Sequence, residues 1–504
     1  MAHWGVAFAN GPDYNFSGKA GFYKVAAQPA GYPSLNVATA AIAQAVELVT
    51  NDGTFPPHEK ALVEALATRY EWPVTPSTPA LQDKFAEAMG HVAASFPGDA
   101  FVHAVHAESL MVLSPWDLYQ KTPAGVAAGT PNWFSADKEL KPIGEQVKHA
   151  VEAGLRVSPS NVWLCHLKIH LCEMGPVDAF DWRAAEYVRS CDAKGAGHLI
   201  HMPTHLDIQV GEYARAMYCN RLGYEADLAL FAISPSRFTI YTGYVVHNME
   251  FAVWAAMYAG NLANARAAAS MITEFFTEER FRAAPMLATF FEAYAAVPIM
   301  VLVRFGLWDE ILALPFREDK SLWISHTLFL HFARALALGV RRETLEAAHV
   351  EQAAFMACFA PITAETRMHH NVNLLQMATI AERVLEGELK YRAGEWDAAF
   401  DALDMATKHF DALPYDEPHG WLMSTRQTAG ALLTEQKRYE RATQLYKEDL
   451  ELFPRNPWSL AGLKRCLTAT GADPACLAAT DAALVQALQV ADVSIGVSCK
   501  CAQD

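Results

Sequence analysis

An all-α chain of antiparallel helix pairs stacked as a solenoid is the fold this sequence predicts, and three observations predict it. Segments such as VATAAIAQAVELV, KALVEALATRY and LQDKFAEAMGHVAASF carry apolar residues at i, i+3, i+4 and i+7, which places them on one helical face. The period-2 alternation that marks strands is hard to find between them. The helical segments are also separated by one recurring punctuation, a glycine followed two residues on by an aromatic or apolar side chain and three further on by a small or apolar one. It occurs at Gly211-Glu-Tyr213, Gly260-Asn-Leu262, Gly306-Leu-Trp308 and Gly394-Glu-Trp396, and once more with Lys437 where the glycine is expected.

The composition fits a large buried core, since 52% of the 504 residues are hydrophobic and only 19% charged. No Pro/Gly/Ser-rich linker interrupts the chain, so a continuous architecture is expected, described as an N-terminal helical-repeat half (1–315) and a C-terminal half (316–504). A net charge of −16 and a pI near 5.6 argue against nucleic acid and against an anionic membrane surface as partners. The opening MAHWGVAFANGPDYN lacks the basic and apolar regions of a secretory signal. The apolar run AYAAVPIMVLV carries a proline and is bounded by Glu292 and Arg304, which suits a buried helix rather than a membrane span. Nine cysteines without framework spacing read as reduced thiols of a cytoplasmic protein. The terminal SCKC, Cys499 and Cys501, suits either a metal or a frayed tail, and the frayed tail is the expectation.

The punctuation resembles the tetratricopeptide repeat (TPR), most completely near the C-terminus, where Gly430, Tyr439, Ala442, Tyr446 and Pro454 fall at that repeat's offsets. Small residues there let two helices approach and an aromatic fills the gap beside them. Longer strings, HWGVAFANGPDYN, AESLMVLSPWDLY, HLKIH with Glu173, GHLIHMPTH, and Tyr244 with His247-Asn248, resemble a family of bacterial and fungal TPR proteins. The resemblance implies the fold and no particular reaction. One departure is FVHAVHAE, where His103 and His106 replace apolar and tyrosyl residues. Glu108 lies about 140° round the helix from His103, so either the carboxylate or the histidines face a common centre, and the resemblance favours Glu108.

The candidate site is organised around HLIHMPTH, in which His198, His201 and His205 share one helical face if the helix is continuous. Pro203 either kinks that helix or begins it, and His205 is helical in both cases. Upstream, His166, His170 and Glu173 form a second stripe at i, i+4 and i+7. His247 opens the first helix of the following repeat. First helices of successive repeats line one face of a solenoid, which is expected to bring His170, His205 and His247 to one side. Two readings stay open: histidines that line a packed groove, and imidazoles with carboxylate that hold a divalent transition metal, Fe, Cu, Zn or Mn. Tyr241, Trp163, Trp254 and Met249 serve as core or as walls. Gly-rich phosphate loops, a nucleophile elbow, HExxH and paired CxxC motifs are not found.

The sequence-based expectation is a metalloenzyme acting on a small organic molecule, with oxidation preferred. Its metal ligands are His166, His170, Glu173, His198, His201, His205 and His247, and its candidate catalytic residues are Glu173, Glu108 and Tyr244. The alternative is a non-catalytic TPR scaffold that binds a protein or peptide in its groove. Because Glu173 projects along the histidine stripe, Glu173→Gln is expected to weaken metal binding more than Glu108→Gln, measured by metal titration of both variants. An unaffected Glu173→Gln beside a disabled Glu108→Gln would move the centre to the helix around residue 105.

Overall fold

The computed structural model describes residues 1–17, 21–27, 32–120, 139–191, 195–234, 239–341 and 344–502. These residues are helical almost throughout, with a single two-residue hairpin among them, Met368–His369 paired to Val372–Asn373. The fold is all-α and of the TPR-like helical-repeat class. Contacts divide the described chain into two units, residues 1–120 with 139–191, and residues 195–502. Position 315, where the sequence reading divides the chain, lies within the second unit, just after the Trp308–Ala313 helix.

In the first unit, helices Leu35–Asn51, Pro57–Ala67, Leu81–Ser95, Ala100–Met111, Pro142–Val157 and Val162–Glu173 each pack against the next. Their starts are set by side-chain caps that satisfy otherwise orphaned amides. The Asp99 carboxylate accepts from Phe101 N at 2.9 Å and Val102 N at 3.2 Å, and Asn161 accepts from Leu164 N at 3.0 Å. The string ANGPDYN binds the N-terminal helix to this stack. A Cβ on Gly11 would meet the Tyr70 hydroxyl at 2.2 Å, the same hydroxyl donates to Ala7 O at 2.9 Å, and Tyr14 accepts from Trp116 N at 3.1 Å.

The second unit is built on the punctuation. Gly211, Gly260, Gly306 and Gly394 have φ of 75°, 70°, 68° and 85°, in the left-handed region where a Cβ is unfavourable. The helix after each begins two residues later, at Tyr213, Leu262, Trp308 and Trp396. Lys437 occupies the same turn with φ 59°, and its helix begins at Tyr439. In the last repeat, Tyr446 sits where a Cβ on Gly430 or Gly462 would come within 2.6 Å or 2.2 Å of its ring, the close approach the repeat resemblance implies. Pro285–Arg304 is apolar enough to cross a membrane by length and composition, yet 72% of it is buried. Buried Glu292 within it accepts from Ser325 N at 3.0 Å and His326 N at 3.2 Å, which caps the Ile324–Val340 helix.

The C-terminal segment is not a frayed tail. Ile495, Val497, Ser498 and Cys501 are buried, and the chain runs back over earlier turns of its own unit. The Asp492 carboxylate caps Leu262 N at 2.6 Å and Ala263 N at 2.9 Å, and Asn261 donates to Val490 O at 2.7 Å. A Cβ on Gly260 would meet Ile495 at 2.4 Å, and one on Gly306 would meet Lys500 at 2.6 Å. Cys499 and Cys501 are joined as a disulfide, which corrects the expectation of thiols throughout, whereas the other seven cysteines are free. The segment is short and aperiodic, so its burial comes from long-range docking that no local pattern encodes.

Two substitutions should shift stability in opposite directions. Gly462→Ala drives a methyl into Tyr446 and is expected to destabilise by about 1–3 kcal/mol. Lys437→Gly relieves a left-handed lysine and is expected to stabilise by about 1 kcal/mol. Chemical denaturation midpoints check both.

Candidate functional site

Within the second unit, GHLIHMPTH is positioned by a close helix approach. A Cβ on Gly197 would meet Gly223 O and Asp227 Oδ1, each at 2.4 Å, so only glycine lets the Gly197–His201 helix lie on the Tyr213–Ile233 helix. Asp227 then clasps the next helix, accepting from Tyr241 Oη at 2.8 Å and Asn248 Nδ2 at 2.9 Å. Its burial raises the carboxyl to about 6. Pro203 neither kinks one helix nor leaves the preceding histidines in a loop. It separates two short helices, Gly197–His201 and Thr204–Gln209, and supplies the non-hydrogen-bonded start of the second.

The break brings the histidines together. His201, His205 and His247 are buried, and one ligating atom from each lies within 4.8 Å of the others. His247 comes from the Thr242–Ala259 helix, and Phe251, one turn further on, forms the shared floor. Its ring is 4.6, 4.7 and 4.9 Å from those of His201, His205 and His247. Nε2 of His201 faces Nε2 of His205 at 2.7 Å. On the far side, His201 Nδ1 faces Asn220 Oδ1 at 2.6 Å. The Asn220 amide is oriented by its own donors, since Nδ2 gives hydrogen bonds to Ala216 O at 2.8 Å and Thr204 Oγ1 at 3.2 Å. Opposite His205 Nδ1 stands Glu417 Oε2 at 3.2 Å, both side chains buried. His198 lies just outside the trio, its ring 5.6 Å from His201 and 4.6 Å from Tyr244.

Sequence reasoning missed the outer residues. The His370 ring packs 5.3 Å from His247, and its Nδ1 is 2.5 Å from Asp416 Oδ1. His369 Nε2 approaches Glu250 Oε1 at 2.7 Å, with both side chains buried. Burial alone would lower both imidazoles, but Asp416 and Glu250 outweigh it and hold them above the ordinary histidine value. The strings MHHN (368–371) and YDEPHG (415–420) were the available signals, being dense in ligand-type residues. Asn220 and Phe251 had none. A cavity of about 30 Å³, the size of a water or an ion, adjoins His205, Asp416, Glu417 and His419. Trp254 and Met249 are core.

The first unit holds the other predicted residues. His166, His170 and Glu173 share the Val162–Glu173 helix, with the two rings 4.7 Å apart. Glu173 Oε1 lies 2.8 Å from His170 Nδ1, so the carboxylate orients the ring, whose Nε2 is also buried. The Tyr14 ring packs 4.6 Å from His170. Burial, reinforced by His170, pushes His166 well below the usual imidazole range. On the Ala100–Met111 helix, Glu108 is buried and accepts from Trp163 Nε1 at 2.8 Å. His103 and His106 instead line a cavity of about 810 Å³ together with Glu145 and His149. The carboxylate and the added histidines therefore do face apart. Burial, with His103 and His149, lowers His106 to about 4.

No protein-family model and no curated protein matches this chain. Among solved structures it is similar to the human IFIT1 dimer with m7Gppp-AAAA, at 10% identity over 94% of this chain and 90% of that one, with a TM-score of 0.37.

Burial raises Glu108 from 4.5 to about 7, assisted by Asp13 and opposed by Arg69 and the Trp163 hydrogen bond. The folded state then binds the proton more tightly than the unfolded state, so this group's contribution is complete below pH 4.5 and is lost as pH rises through 7. Glu108→Gln should therefore be more stable than the parent at pH 8, by up to about 3 kcal/mol, and nearly equal at pH 4.5. Melting temperatures at the two pH values check this.

Proposed function

We propose that the second unit holds one divalent transition metal between His201, His205 and His247, and that the protein is a TPR-like metalloenzyme acting on a small organic molecule, with oxidation preferred. A single observation carries the metal reading. Asn220 Oδ1 stands 2.6 Å from His201 Nδ1 and draws that ring's proton to its side, leaving the Nε2 lone pair of His201 facing His205 Nε2. His205 Nε2 meets that lone pair at 2.7 Å, through its own proton as an N–H···N bond or, with its proton on Nδ1 beside Glu417, through a cation held at the meeting point, and the metal reading takes the second. Tetrahedral ligation at about 2.0–2.1 Å puts two ring nitrogens about 3.3 Å apart, so the rings need to part by only about 0.6 Å. Three neutral imidazoles leave the ion its charge and an open position, as oxygen activation or hydrolysis requires, and they suit Fe, Cu, Zn or Mn. Glu417 stands beside His205, and Asp416 and Glu250 add negative charge nearby. In the first unit, His170 oriented by Glu173, with His166, is the second candidate set.

A non-catalytic scaffold is the second reading. It is favoured by the side-chain partners that His369 and His370 find in Glu250 and Asp416, as polar core residues would, and by the helix-pair architecture, which generally serves to bind partners.

Elemental analysis of protein purified without a metal-affinity tag separates the two. The metal reading expects close to one ion per chain in the second unit. His205→Ala should lose it, while His331→Ala, whose ring pairs with Glu351, should keep it. Loss in His170→Ala would assign an ion to the first unit. Below about 0.2 metal per chain after reconstitution with Fe, Cu, Zn and Mn, the scaffold is the better account.

A further inference from the structure

The docked C-terminal segment forms a second, chemically different donor set. We propose that, when the Cys499–Cys501 disulfide is reduced, the two thiolates and Glu388 bind one thiophilic d10 cation such as Zn²⁺ or Cu⁺. One ligand atom from each of Glu388, Cys499 and Cys501 lies within 4.8 Å of the others. Glu388 is 2% exposed, and its two oxygens are not equivalent. Oε2 pairs with Arg392 at 3.2 Å, whereas buried Oε1 has no hydrogen-bond partner among the described residues. An unsatisfied buried carboxylate oxygen is costly, and a cation in the adjoining cavity of about 30 Å³ would satisfy it. That cavity is lined by Glu388, Cys499, Cys501 and Thr428. The Thr428 hydroxyl is directed at Cys499 Sγ at 3.8 Å, and Arg392 fixes the segment by donating to Cys501 O.

Charge makes occupancy depend on redox state. Arg304, stacked on Trp458 at 3.8 Å, lines the same cavity. In the disulfide form the Glu388 carboxylate is already paired with Arg392, and Arg304 lines the same cavity, so a cation is held weakly. A dithiol reductant delivers two electrons and two protons, breaking the S–S bond to give two thiols while its own thiols join as a disulfide. Binding the metal then displaces both thiol protons to solvent, and the two thiolates supply the negative charge that holds the cation. Soft sulfur donors select Zn²⁺ and Cu⁺ over the harder ions.

The test titrates Cd²⁺, a d10 probe, into the full-length protein, and reads the ultraviolet thiolate-to-cadmium charge-transfer band. Imidazoles do not produce this band, so the outcome is independent of the histidine site. Reduced protein should saturate at one Cd²⁺ per chain, and oxidised protein should give no band. Cys501→Ser should abolish it, and Glu388→Gln should weaken binding about 10–100-fold while keeping the thiolates. The oxidised and reduced wild-type comparison keeps the test decisive if a variant misfolds. A missing band in reduced protein, a band retained in Cys501→Ser and so due to the other seven cysteines, or unchanged affinity in Glu388→Gln would each overturn the proposal.

Discussion

The second unit depends on one backbone constraint, the left-handed residue that closes each first helix and releases the next helix two residues later. With that residue in place, successive helices return antiparallel and their apolar stripes meet. The same turns are the places where distant chain fits closely. Gly211 admits Pro454, Gly260 admits Ile495 and Gly306 admits Lys500, each at a distance a side chain would forbid. Helix geometry and long-range docking thus rest on the same residues. The histidine cluster inherits this, because its second helix runs directly into the Gly211 turn, while its first is held by the approach of Gly197 to Gly223.

Much of the fold was legible because it is locally encoded. Helix periodicity, the glycine punctuation and even the lysine substitute for glycine are visible in windows of a few residues. The C-terminal segment was not legible, since the aperiodic residues 490–501 carry no sign of what they will pack on. The candidate site was legible to the same extent. Spacing identified His201, His205 and His247, which the structure gathers around Phe251. The partners Asn220, Glu417, His370 and Asp416 come from other helices and loops, and nothing in HLIHMPTH specifies them. His166, His170 and Glu173 were read from their spacing as one stripe, and the Val162–Glu173 helix of the first unit carries all three. Pro203 was read as one of two simple cases, and the outcome is a break that brings His205 against His201.

Two buried clusters of the second unit differ in softness. One consists of imidazoles whose outer nitrogens face an amide oxygen and a carboxylate; the other consists of two sulfurs beside a carboxylate with one unsatisfied oxygen. Both donor sets accept zinc and copper, but they respond to different conditions, protons for the first and reductants for the second. Both sit in low-dielectric surroundings, where neighbouring charges act strongly.

The wide sequence separation within the histidine cluster bears on how the protein is made. His205 and its partner Glu417 are about 200 residues apart, and His370 and Asp416 also come from the later half. On a ribosome, the imidazole pair is made about 200 residues before the carboxylate that comes to stand beside its second ring. The nascent chain therefore carries His205 without Glu417 for about two fifths of its synthesis. The ordered cluster is complete only after the segment around Glu417 has left the exit tunnel and docked.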